Sequence, residues 1–158
     1  MNTVKILKTS ITETTVKEVS KILNTTNSLN VAICNTNTVV RSYRDEMLSK
    51  IINSFDIKTP DGFPIAKFSS IIYKNNQMRV DGYNVFLSTI EEGLGKSTSH
   101  YFYGGKESVV KKLIKKLEND FPDINIAGSF SPPISSYSEL TEETFVQDMI
   151  KSQPDIVW

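Results

Sequence analysis

The chain has 158 residues, of ordinary hydrophobic (39%) and charged (23%) content, which is the length of one domain able to bury roughly 70% of its unfolded surface. Lys plus Arg balance Asp plus Glu at 18 each, so there is none of the basic surplus that accompanies nucleic-acid binding. A lone Cys34 cannot form a disulfide within the chain, the amino terminus carries no apolar run of signal-peptide length, and no stretch approaches the roughly 20 apolar residues of a membrane span. The expectation is a cytoplasmic protein, or one attached peripherally to a membrane from its cytoplasmic face.

In chain order, residues 12–24 place Val16, Val19, Ile22 and Leu23 at helical spacing, and residues 28–35 read as a short buried strand. Asn37 stands where it could cap one long helix, with Val40, Tyr43, Met47, Leu48, Ile51 and Ile52 as its apolar stripe. "FDIKTP" reads as a second strand, because Pro60 discourages helix at Thr59. After Asp61-Gly62 a helix follows through "FPIAKFSSIIYK", with Pro64 tolerated in its first turn. The segment from Arg79 is a turn leading into a helix with Val85, Phe86, Thr89 and Ile90 inward. "SHYFYGG" is an aromatic strand, and the helix after it turns Val109, Val110, Leu113, Ile114 and Leu117 inward. "INIAGSF" is a further strand, "SPPISSYS" a loop, Glu142 and Glu143 open a last helix, and "DIVW" begins a final strand.

Strands alternating with helices predict a single α/β domain over residues 1–158, a mostly parallel Rossmann-like sheet with helices on both faces. Open sheets of this kind bind ligands at the carboxyl ends of their strands, which directs attention to the strand exits. Gly104 and Gly105 lie between a strand and a helix amino terminus, either as an anion cradle with Lys106 beside it or as a tight turn. They form neither a P-loop nor a G-x-G-x-x-G fingerprint. Asp61 is a cap of the following helix or a catalytic acid, and Arg79 is a surface ion-pair partner or a ligand contact. The lysines 111, 112, 115 and 116 fall on the solvent face of their helix. His100 reads as a structural partner inside a strand, and Cys34 as packing, with no activator nearby. No D-x-D triplet and no His/Cys/carboxylate cluster of metal-site spacing occurs, so any transfer chemistry would use backbone dipoles and arginine in place of a divalent cation.

The succession "TPDG", "RVDG", "YFYGGKESVVKKLIKKLENDFPDINIAGSFSPP" and "PDIVW" resembles the WecG/TagA/CpsF family of bacterial glycosyltransferases, from about residue 30 onward. The resemblance implies a metal-independent, inverting enzyme without a cofactor. It would move an N-acetylmannosamine-type sugar from a UDP-sugar donor to a lipid-diphosphate-linked glycan acceptor, in the synthesis of teichoic acid or another cell-surface polysaccharide. On that resemblance Asp61 of the D-G pair, followed by Gly62, is the general base. Arg79 lies near the donor diphosphate, and Asn35, Gly104 and Gly105 contribute to substrate binding. A homo-oligomer is a further implication. Two positions depart from the family pattern: Ile33 stands where a threonine or serine is common, and "GSFSPP" replaces a G-Y-F ending. The family's glutamine-bearing loop and basic tail have no counterpart after "PDIVW", so the chain is expected to match the first two-thirds of a member. The alternative expectation is an inactive, truncated remnant that only binds a nucleotide sugar or a partner chain.

Overall fold

The computed structural model describes residues 1–132 and 143–158, and its chain packs as two compact units, Met1–Thr89 and Ile90–Trp158. The first unit opens with an antiparallel hairpin, β1 (Thr3–Ile6) and β2 (Thr9–Thr12), paired Thr3 with Thr12 and Ile6 with Thr9. Sequence reading missed this hairpin. Its strands have four residues each, and Leu7 takes the positive φ at the turn where Gly or Asn-Gly would have announced it. The helix expected from residue 12 is α1 (Val16–Leu23), held back by a capping box: Thr15 Oγ1 accepts from Glu18 N–H at 3.2 Å and Glu18 Oε2 accepts from Thr15 N–H at 2.8 Å.

Strands β3 (Val31–Cys34) and β4 (Ile57–Pro60) pair in parallel, with Val31 opposite Ile57 and Cys34 opposite Pro60. Between them the predicted single helix is two, α2 (Thr36–Arg44) and α3 (Glu46–Ser54). The break is Asp45, extended at φ −117°, whose Oδ1 accepts from Leu48 N–H at 3.0 Å; a short carboxylate that can satisfy a free helix N–H competes with helix continuation. The break also dissolves the predicted stripe, since Tyr43, Met47 and Ile51 are exposed while Val39 is buried. Helix α4 (Phe63–Tyr73) follows β4, and α5 (Gly82–Leu94) closes the unit and carries the boundary between the two.

Alternate residues of a strand point to opposite faces, and here each face has its own core. Ala32 and Cys34 pack with Val4, Ile6 and Ile11 of the hairpin, Val39 of α2 and Ile65 of α4. Val31 and Ile57 pack on the other side with Val19 of α1, Val80, and Val85 of α5. All four residues of β4 are buried, as expected for a parallel strand covered on both faces.

In the second unit β5 (Ser99–Tyr103) lies between β6 (Asn125–Phe130) and β7 (Ile156–Val157), both parallel to it. The crossovers carry α6 (Glu107–Asp120) and α7 (Glu143–Ser152). Val110 and Leu117 of α6 are buried, but Val109 is exposed, one residue off the inward stripe. The loop expected at 131–138 and the opening acid Glu142 extend into residues 133–142, outside the described residues. The expected α/β architecture and its parallel pairing are observed, distributed over small sheets rather than one continuous sheet.

Tyr101 anchors this unit: its ring is fully buried and its hydroxyl donates to Asp148 Oδ2 at 2.7 Å, tying β5 to α7. Burial, then the Asp148 carboxylate, pushes its pKa up to about 12. The ring lies against Gly128 so closely that a Cβ there would stand 2.8 Å from Tyr101 Cε2. Gly128→Ala is therefore expected to destabilise the second unit by roughly 1–3 kcal/mol, read as a lowered urea midpoint.

His100 is buried beside the ring of Trp158, whose indole Nε1–H donates to His100 Nδ1 at 3.1 Å, so the structure requires the imidazole to be neutral at that nitrogen. Burial lowers its pKa below the ordinary value near 6.5, with the Asp155 carboxylate opposing the shift. The unfolded chain then binds more protons than the folded one between the two values. The stabilisation is whole above about pH 6.5 and is lost as pH falls through the folded value. Wild type should lose more thermal stability between about pH 7.5 and about pH 5.5 than His100→Asn does, in parallel melting curves.

Candidate active site

Because β3 and β4 run in parallel and in register, both leave the sheet at the same end, and the next residue on each is a polar one: Asn35 after Cys34 and Asp61 after Pro60. The Asp61 N–H donates to Cys34 O at 3.1 Å and to Thr59 O at 3.0 Å, extending the ladder by one residue onto the rim. Asn35 is the N-cap of α2, its Oδ1 accepting from Thr38 N–H at 3.0 Å and Thr38 Oγ1 at 3.2 Å.

Asp61 is not the cap of α4. That position belongs to Gly62, at φ +89°, with no side-chain capping bond. A left-handed residue here lets the chain turn straight from strand to helix while the carboxylate stays at the strand exit, and only glycine adopts it without strain. Substitution would meet ample room, the nearest atom being Pro64 Cδ at 3.8 Å, so the backbone alone enforces the choice. Gly62→Ala is expected to cost about 1–2 kcal/mol of stability in a denaturant titration.

Arg79 arrives from the segment before α5, which is fastened to the end of β4 by Val80 N–H donating to Pro60 O at 3.0 Å and by the buried Val80 side chain. Its Nε stands 3.4 Å from Asp61 Oδ1 and 3.8 Å from Asp81 Oδ2. Both contacts use Nε, on one edge of the guanidinium fork. The Asp61 side chain is 20% exposed and Arg79 57%, so the pair is a rim contact open to water and not a sealed ion pair.

Asp81 went unremarked in the sequence. It is buried at the start of α5, where Oδ1 accepts from Asn84 N–H at 3.1 Å and Oδ2 from Asn84 Nδ2 at 2.7 Å. Burial alone would raise its pKa, but the two Asn84 bonds and the Arg79 guanidinium outweigh it and hold the carboxyl below the usual range. The available signal was an aspartate three residues before Asn84 at a helix start, the spacing of a cap. Asp81→Ala should lower stability by about 1–2 kcal/mol in thermal unfolding, and Asp81→Asn, which keeps the acceptor, by less.

Beneath the rim, Thr59 is fully buried and its Oγ1 has no hydrogen-bond partner among the described residues. On the opposite strand face Lys58 is buried, with Nζ donating to Phe55 O. Cys34 beside it is fully buried, and burial pushes its thiol up to about 11 against the pull of Lys58, which fits packing rather than nucleophilic work.

Gly104 and Gly105 belong to the second unit, at the carboxyl end of β5, with φ of +107° and +71°. Gly104 N–H donates to Phe130 O at 2.9 Å, and Lys106 begins α6 without a side-chain cap. A cleft of about 410 Å³ lies beside them, lined by Glu107, Val110, Lys111, Ser129, Phe130 and Ser131. Glu107 in the first turn pairs with Lys111 at 2.6 Å, which holds its carboxyl below the usual range. Asn35, Asp61, Gly62 and Arg79 are thus brought together in the first unit, and the glycine pair forms a separate feature of the second. Among the described residues no group of His, Cys, Asp and Glu is arranged to hold a metal ion.

The chain belongs to the WecG/TagA/CpsF glycosyl transferase family, whose model matches residues 3–158. Two relatives carry the name N-acetylglucosaminyldiphosphoundecaprenol N-acetyl-beta-D-mannosaminyltransferase. The protein of Bacillus spizizenii is 30% identical over 108 residues, covering 68% of this chain and 40% of the relative. That of Bacillus subtilis is 27% identical over 118 residues, covering 73% and 43%. The matched stretch is therefore about two-fifths of the length of these curated relatives. Ile33 is half-buried, and a Cβ on Gly82 would stand 3.6 Å from its Cγ1 and Cγ2, so it fills space against the start of α5.

Proposed function

We propose that this chain is a glycosyltransferase that moves an N-acetylmannosamine-type sugar from a UDP donor to the hydroxyl of a lipid-diphosphate-linked N-acetylglucosamine, with inversion and without a metal ion. The observation that carries the reading is the placement of Asp61. Among the described residues, a carboxylate that takes no part in capping α4 is held at the exit of a doubly covered parallel strand, 3.4 Å from an arginine that is 57% exposed. The names of the two relatives support the sugar and the lipid-linked acceptor.

In the proposed reaction the acceptor oxygen attacks the anomeric carbon of the donor sugar as its bond to the UDP oxygen breaks. Asp61 takes the proton that the acceptor hydroxyl loses, and the bonding pair leaves with UDP. A single displacement needs this one base and gives inversion with no covalent intermediate. Arg79 would hold the diphosphate bidentately through its guanidinium. Asn35 and Gly62 would border the sugar, Asn35 through the amide nitrogen that its capping bond leaves over. Neutralising the leaving group with a guanidinium is what would make a metal-free transfer workable.

One observation favours a second reading, a chain that binds nucleotide sugar without turning it over: Ile33 packs as hydrocarbon where a hydroxyl is common in the family. The two are separated by one substitution. Asp61→Asn should lower sugar transfer by about 10²- to 10⁴-fold while leaving UDP affinity by calorimetry unchanged. Undiminished transfer in the variant contradicts the base assignment. A wild-type chain that binds UDP and transfers nothing supports the second reading.

A further inference from the structure

Helix α4 has its large side chains on the wrong side for a helix that serves only its own fold. Its buried positions are Ile65, Ala66 and Ser69, whereas Phe63, Phe68, Ile71 and Ile72 are exposed. Contiguous apolar surface of this kind marks a binding site. The surface is not flat. Beside α4 lies a groove of about 320 Å³, the scale of a small-molecule site, and of its ten lining residues only Lys5 and Thr36 are polar. Its floor is the buried trio Ile6, Val39 and Ile65, part of the core itself, and its rim includes Phe68 at 55% and Ile72 at 56% exposure. The wall is fixed in place, because the Tyr73 hydroxyl at the end of α4 donates to Lys5 O and accepts from Lys5 N–H, both at 2.9 Å.

The position of the groove says what fits it. Thr36 and Pro64 line it: Thr36 directly follows Asn35 at the exit of β3, and Pro64 stands two residues after Gly62 at the exit of β4. The apolar groove between α2 and α4 thus begins within two residues of the rim that carries Asn35 and the Asp61–Gly62 pair. We propose that this groove receives the first isoprene units of the acceptor's polyprenyl chain, so that the lipid is recognised as hydrocarbon by the protein and not only retained by the bilayer. The inference rests on the lipid-linked acceptor of the proposed function and assigns its apolar part to α4. A branched hydrocarbon chain suits a narrow groove with a dry floor, and each isoprene unit withdrawn from water adds favourable burial.

The test is calorimetric binding of farnesyl-diphospho-N-acetylglucosamine, without vesicles, to the full chain and to the Phe68→Ser/Ile72→Ser double variant. Both side chains are more than half exposed, so the variant is expected to keep the wild-type unfolding midpoint. It should bind the farnesyl probe about tenfold more weakly, with UDP affinity unchanged. Equal affinity in the two proteins, or no binding of the probe to wild type, overturns the inference. So does a variant that loses sedimentation with phosphatidylglycerol vesicles yet keeps its grip on the soluble probe, which would make α4 a bilayer-facing surface. A variant that dissolves a wild-type dimer without changing probe affinity also overturns it, in favour of a second copy as the occupant. Transfer separates the groove from the reaction. Equal transfer to methyl-linked and farnesyl-linked acceptors refutes the groove and leaves the reaction standing. A wild-type chain that binds the probe through Phe68 and Ile72 but transfers no sugar refutes the reaction and leaves the groove standing.

Discussion

The first unit depends on the parallel pairing of β3 with β4 between two cores. With Ala32 and Cys34 committed to one face and Val31 and Ile57 to the other, neither strand can slip by a residue without sending its apolar set to the wrong side. A register fixed so tightly also fixes the exits. Asn35 and Asp61 stand at neighbouring points on one rim because Cys34 and Pro60 are partners, and the Val80–Pro60 hydrogen bond brings Arg79 to the same end.

The rim residues divide their labour in a way that backbone chemistry explains. Asn35 and Asp81 each accept from the backbone N–H three residues on, and so satisfy the open ends of α2 and α5. Asp61 is spared that task because Gly62 takes the cap position in a left-handed conformation. Asp61 before Gly62 therefore differs from Asp81 before Gly82: only at Gly62 is the turn made by a backbone at positive φ, which leaves the carboxylate over. The geometry answers the structural half of the question posed by the D-G pair, and the chemical half rests on Asp61 lying within 3.4 Å of a solvent-exposed guanidinium.

Much of this was readable from the residues. The alternation of elements, the strand at residues 57–60, the helix after Gly62 and the parallel order all follow from periodicity and from Pro and Gly placement, and the ordered motif set pointed to the family. What escaped reading lacked local signals. The hairpin turns through Leu7 and Lys8, neither a turn former, and the helix break at Asp45 comes from one side-chain bond within a segment free of Gly and Pro. Asp81 was hidden by its neighbour Arg79. The exposed apolar side of α4 was invisible for a different reason: hydrophobic spacing shows that a helix has an apolar face, but not whether the fold covers it.

The central claim is that the exits of β3 and β4 form the substrate rim, and amide NMR during a UDP titration of the full chain tests it most directly. The expected result is that the backbone signals of Asn35, Gly62 and Arg79 shift together along one saturation curve. UDP-dependent shifts that leave Gly62 and Arg79 untouched while moving signals elsewhere would contradict it.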